Sequence, residues 1–210
     1  MEQLLWLYDK PYDPLFPVIC FDERLCFLIG EVMAPLNQKP GKVLREHYAY
    51  SKNGSCCLLA AIEPLTGARL GQVHKQRTKR EYALFLKALA ARYPDAVTIR
   101  LVQDNLNTHD ISALYETFEA GEAFALAQRF EFHFTPKSAS WLNMIEIEFS
   151  ALSRQCLNRR IPHMEQLERE VLSLLKERQD KAIKINWQFS IQKARTTFQT
   201  AYSGIRKNTT

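Results

Sequence analysis

Apolar residues recur along this chain in two rhythms, short β-branched or aromatic runs and stretches spaced three or four apart. Val18-Ile19-Cys20-Phe21 predicts a buried strand ending at Asp22-Glu23, acids placed where the strand would meet solvent. Ser55 to Ile62 and Ala68 to His74 predict two more strands, joined as a hairpin by the turn Glu63-Pro64-Leu65-Thr66-Gly67. Thr78 can cap a helix running to Arg92, with Tyr82, Phe85, Leu86 and Leu89 on its buried side and Pro94 beyond its end. Val97 to Gln103 reads as a fourth strand and Arg129 to Phe134 as a fifth. Between them Ile111, Leu114, Tyr115 and Phe118 have helical spacing, with Gly121 as the expected break. Ile145, Phe149, Leu152 and Cys156 form one stripe of a later helix. Two tail helices follow from Leu167/Val171/Leu174/Leu175 and from Ile191/Ala194/Phe198/Tyr202.

The punctuation between these runs is proline and glycine. Residues 1–17 hold Pro11, Pro14 and Pro17 and are expected to be an irregular lead-in. Residues 31–54 are expected to be a partly irregular connection with basic points at Lys39, Lys42, Arg45 and Lys52. The order of elements predicts an α/β fold, a mixed five-stranded sheet flanked by helices, with a C-terminal helical extension. The expected division is a lead-in at 1–17, a core domain at 18–160, and an extension at 161–210 packed on that domain.

Composition narrows the class. With 46% hydrophobic and 24% charged residues, the 210-residue chain can fill one core. No apolar run nears the roughly 18 residues that span a bilayer, and the start lacks the basic and small-residue marks of a signal peptide, so a cytoplasmic location is expected. The five cysteines show no CxxC pair and suggest neither disulfides nor a zinc site. Net charge is +5, yet residues 150–210 carry 12 Lys and Arg against 5 Asp and Glu, leaving the rest slightly acidic. A basic third beside an acidic remainder suggests a polyanionic partner near a cation-binding centre.

That centre has three candidate ligands. Asp22 follows the first strand, Asp104 follows the fourth, and Glu146 lies on the helix after the fifth. If the first and fourth strands are neighbours, their aspartates face the helical glutamate as an all-oxygen site suited to Mg²⁺ or Mn²⁺. Two such ions could bridge a scissile phosphate. Helix geometry alone leaves Glu146 and Glu148 as alternatives, one at each edge of the apolar stripe, Glu146 beside Ser150 and Ser153 and Glu148 beside Gln155.

Phe21-Asp22-Glu23, Asp104-Asn105-Leu106-Asn107-Thr108-His109, His133-Phe134-Thr135-Pro136, Ser138-Ala139-Ser140-Trp141-Leu142-Asn143 and Ile145-Glu146 together resemble the catalytic domain of mariner-superfamily bacterial insertion-sequence transposases. Asn158-Arg159-Arg160-Ile161-Pro162 and Asn186-Trp187-Gln188-Phe189 extend the likeness over roughly residues 18 to 200. The resemblance implies a ribonuclease H-like fold and a DDE triad of Asp22, Asp104 and Glu146, using Mg²⁺ or Mn²⁺ as two ions for DNA cleavage and strand transfer. It selects Glu146 through the Asn-x-x-Glu pattern Asn143-Met144-Ile145-Glu146. It also implies terminal inverted repeats and target DNA as partners, a homodimer on DNA, and action at the bacterial nucleoid. The spacing departs from the pattern, with 41 residues between Asp104 and Glu146. With only about 20 residues before Asp22, the family's N-terminal helix-turn-helix region is expected to be missing from this chain. A separate helix-turn-helix half is therefore an expected partner. A non-catalytic DNA-binding fragment and a nuclease without transposition are the alternative readings.

Several other residues carry paired expectations. Asn105 and His109 could orient the acids, touch phosphate, or serve loop hydrogen bonds. Trp141 could stack on an unpaired base or pack in the core. Arg154, Arg159 and Arg160 could clamp phosphates or form a solvated basic helix end.

Overall fold

The computed structural model describes residues 1–33 and 48–199. Its centre is a five-stranded sheet in the order β3-β2-β1-β4-β5, built from β1 (Val18–Glu31), β2 (Tyr50–Ile62), β3 (Arg69–His74), β4 (Ile99–Gln103) and β5 (Phe130–Phe134). The first three strands are antiparallel neighbours; β4 runs parallel to both β1 and β5. This is the mixed sheet expected from the order of elements.

Alternation along β1 decides which helices cover which face. Ile19 and Phe21 join Cys57, Leu59 and Ala61 under α2 (Lys79–Arg92), α3 (Ser112–Thr117) and α4 (Ala120–Ala127). Cys20, Cys26 and Leu28 point the other way, into a second core with α1 (Glu2–Tyr8), α5 (Ile145–Gln155), α6 (Met164–Asp180) and α7 (Ile191–Thr197). All five cysteines are free and buried, as their apolar settings suggested.

Four readings of the sequence are corrected. The first strand does not end at Asp22 but continues to Glu31, paired with β2 throughout, so Asp22 lies within a strand rather than after it. Tyr50 to Gly54, expected to be irregular, belong to β2, because the partner strand supplies the ladder that local sequence could not reveal. The lead-in contains a helix, α1, whose Leu4, Leu5 and Leu7 are buried. Gly121 does not break a helix; the break falls at Phe118 and Glu119, and Gly121 lies inside α4. Lys39, Lys42, Arg45 and Tyr202 lie outside the described residues.

The α2 reading stands, with the Thr78 hydroxyl accepting from the Arg80 N–H. The hairpin turn stands too. Gly67 adopts φ +85°, and a Cβ there would meet the Ile183 carbonyl at 2.9 Å. That close approach lets the segment after α6 lie on the turn, where the Ile185 N–H donates to the Pro64 carbonyl. Leu167, Val171 and Leu175 of α6 are buried against the sheet.

Candidate active site

Sheet register brings the first two acids together. β1 and β4 pair Val18 with Arg100, Ile19 with Leu101 and Cys20 with Val102. Two residues further along stand Asp22, within β1 and on the face that α5 covers, and Asp104, the first residue after β4. Burial is the first cause of a carboxyl at Asp22 pushed up to about 7; the charges of Asp104 and Glu146 add to it, outweighing the Glu23 N–H, which donates to Asp22 Oδ1 at 2.7 Å. Glu146, in the first turn of α5, is partly buried and close enough for its charge to act on Asp22.

Asn143 ties that helix to β1. Its buried carboxamide donates to the Phe21 carbonyl at 2.8 Å, and its oxygen accepts from the Ile145 N–H at 3.4 Å. The residue before Asp22 is thereby fastened to the first turn of α5, three residues before Glu146. The Asn-x-x-Glu spacing is a ruler between β1 and α5.

Glu148 is not at an edge beside Gln155, as helix geometry allowed, but fully buried. Arg69 Nε donates to its Oε1 at 2.9 Å, and Arg178 Nε donates to the same oxygen at 2.8 Å. The second nitrogen of each guanidinium reaches Oε2 at 3.0 and 3.1 Å. Arg69 also donates to the carbonyls of Gly67 and Ile183. Glu148 is thus consumed by a structural ion cluster joining β3, α5 and α6, and of the two glutamates only Glu146 remains a candidate ligand.

The other candidates divide between the site and its surroundings. His109 is buried and donates from Nδ1 to Asp104 Oδ1 at 2.5 Å. Burial would lower the imidazole, yet its bonds and attraction to Asp104 and Glu23 prevail and raise it to about 9. The same His109 bond is the first cause of an Asp104 carboxyl held below its ordinary value. Asn105 is exposed and, with Asp104, Phe134, Lys137 and Ser138, lines an open cavity of about 540 Å³. Trp141 is 43% exposed, its ring set edge-on to Phe189 at 5.2 Å. Arg159 pairs with Glu170, and Arg160 with Glu31 at 2.5 Å, while Arg154 is exposed. Two contributors were missed in the sequence. Glu23 looked like a strand terminus, and Arg77, 3.2 Å from it, lay in no motif.

Two aspartates and a glutamate form a donor set of hard oxygens suited to a divalent ion. Among the described residues, however, no three Asp, Glu, His or Cys side chains already close on one point. The chemistry of the three candidate donors nevertheless fits such an ion. No helix among the described residues is long and apolar enough to cross a membrane.

The fold has known counterparts. The chain superposes on that of a pre-cleavage Mos1 transpososome with a TM-score of 0.52 and 13% identity, over 89% of this chain and 61% of that one. A Mos1 mariner paired-end complex with Mn gives a TM-score of 0.45 and 16% identity over the same shares. No curated protein sequence matches. A family model described as DDE superfamily endonuclease matches residues 17–168, a span that holds β1 to β5, Asp22, Asp104 and Glu146. This chain belongs to the DDE superfamily of endonucleases.

Proposed function

We propose that the chain is the catalytic domain of an insertion-sequence transposase that cuts and joins DNA. What supports this reading is the placement of Asp22 on β1, Asp104 directly after the neighbouring β4 and Glu146 in the first turn of α5, within a chain of the endonuclease family. The shared fold with a transpososome protein supports it. When bound, two Mg²⁺ or Mn²⁺ ions would activate the attacking oxygen and stabilise the leaving one. The three carboxylates would hold those ions, and Asn143 would keep Glu146 opposed to Asp22. The open cavity beside Asp104, with Lys137 and hydroxyl side chains on its wall, offers room for the DNA strand next to the cut. The partners proposed are terminal inverted repeats, target DNA, a helix-turn-helix half and a second copy of the chain, in the cytoplasm at a bacterial nucleoid.

The test is cleavage of a labelled duplex carrying the element's terminal repeats, with the helix-turn-helix half supplied. Cutting that needs Mg²⁺ or Mn²⁺ and is lost in Asp22→Ala, Asp104→Ala and Glu146→Ala is the expected result. Full activity in Glu146→Ala would sink the triad, and an inactive wild type would favour the non-catalytic DNA-binding fragment.

A further inference from the structure

Glu23 and Asp22 are consecutive in β1, so the pleat sends them to opposite faces of the sheet. Asp22 turns to the face that α5 covers. Glu23 turns toward α2, into the core, where its side chain is 2% exposed. Both of its carboxylate oxygens are buried without a well-aligned hydrogen bond. A core position of that kind favours an apolar residue, because an incompletely paired buried charge is costly. Glu23 therefore calls for a reason other than packing.

Its surroundings supply one. Glu23 Oε1 lies 3.2 Å from His109 Nε2, at ion-pair distance though off the hydrogen-bond line, and Oε2 lies 3.2 Å from Arg77 Nε. The other ring nitrogen of His109 is the one bonded to Asp104. The imidazole is fixed on every side: Phe21 and Tyr82 pack their rings on it at 5.2 and 5.0 Å, and its own carbonyl accepts from Gln103 Nε2, whose Oε1 in turn accepts from Tyr82. The side chain of Asp104, 37% exposed at the sheet rim, has far less to hold it.

We infer that Glu23 and His109 are positioning residues, a buried strut from β1 to the loop after β4 that fixes Asp104 in the orientation needed to bind a divalent ion. This rests on the reading of Asp22, Asp104 and Glu146 as metal ligands. The strut works through Asp104 and touches neither ion nor DNA. It lies on the far side of the sheet from Asp22, so it steadies one ligand without crowding the others. Its partners also give His109 its direction, since Asp104 and Glu23 attract the two nitrogens from opposite sides.

The two ring nitrogens can be replaced one at a time. His109→Asn places an amide N–H where Nδ1 stood and keeps the donor to Asp104. His109→Gln places it where Nε2 stood, keeping the reach to Glu23 and losing the bond to Asp104. Glu23→Gln keeps the shape and removes the charge. Mn²⁺ binding to the full chain is measured by electron paramagnetic resonance of the free ion, with thermal unfolding in chelator as the control for folding. His109→Gln is expected to weaken Mn²⁺ binding about tenfold or more, the usual effect of losing a residue that orients a ligand. His109→Asn should restore most of the affinity, and Glu23→Gln should weaken it while leaving the metal-free melting temperature unchanged or higher. Wild-type affinity in both His109→Gln and Glu23→Gln would overturn the strut. Asp104→Ala, measured alongside, separates the two ideas: if it too binds Mn²⁺ like the wild type, the metal-ligand reading fails first.

Discussion

Glu146 and Glu148 stand two residues apart on α5, yet Glu148 is enclosed between Arg69 and Arg178 while Glu146 is only partly buried. The enclosed glutamate fixes the rotation of the helix, and with it the direction of the other.

Replacing Glu148 with Gln should therefore cost stability before it costs chemistry. It leaves two buried guanidinium groups facing a neutral amide, and losses of about 3–5 kcal/mol are usual when one partner of a buried ion pair is removed. Burial alone would raise the Glu148 carboxyl, but the bonds and charges of Arg69 and Arg178 hold it below its ordinary value. Its contribution is thus complete above the ordinary carboxylate range and is lost as pH falls through the lower folded-state value. Urea unfolding of wild type and Glu148→Gln from neutral to acid pH should show the gap between them shrinking only at the acid end.

Asp22 has the opposite sign. Its folded carboxyl is raised from 3.8 to about 7, so the metal-free protein should lose stability as pH rises between those values and level off above. Asp22→Asn removes that loss, and at pH 8 without metal it should melt above the wild type, by no more than about 4 kcal/mol of stability. Mg²⁺ should raise the wild-type melting temperature more at pH 8 than at pH 5, because a ligand carboxyl must give up its proton. Equal Mg²⁺ shifts at both pH values would contradict this.

Asn143→Ala removes a buried donor and acceptor at once and strands the Phe21 carbonyl. A cost of about 1–3 kcal/mol is expected. Cleavage should fall further than the folded fraction does, since Glu146 is then free to drift from Asp22. Chemical denaturation and single-turnover cutting, run on the same samples, separate the two effects.

Arg154 and its neighbours should differ as DNA contacts. Arg154 is exposed with no ion pair among the described residues, whereas Arg159 and Arg160 already face Glu170 and Glu31. Arg154→Ala is expected to lower the salt slope of DNA binding by about one phosphate contact. The other two should each lower it less. Binding titrations across salt concentrations decide between them.

A chain ending at Arg160 should not fold stably. It would lose Arg178 from the ion cluster and uncover the sheet beneath Leu167, Val171 and Leu175. Limited proteolysis that released a lasting core ending near Arg160 would show that α6 is dispensable.

Much of the fold was legible because strand and helix periods are local. Ile19 and Phe21, or Tyr82 and Phe85, announce a buried face within a few residues. The two aspartates were legible for the same reason, each following an apolar run. Glu148 was not, because its partners lie 79 residues before it and 30 after it, and helix spacing treats both edges of α5 alike. Nor was the length of β1. Asp22-Glu23-Arg24 interrupts its apolar run, and the β2 ladder that carries the strand past them lies elsewhere in the sequence. Asn143 was visible only as part of a motif; its physical task emerged with the Phe21 carbonyl beside it.

The parallel register of β1 and β4 makes the site an all-or-nothing arrangement. Adding or deleting a single residue between Val18 and Asp22 would send Glu23 or Phe21 to the place of Asp22 beneath α5 and turn the rest of the strand inside out. Gradual shortening of that segment is closed to such a chain. Inherited variation in β1 should therefore run through substitutions, with length changes confined to the connections outside the paired strands.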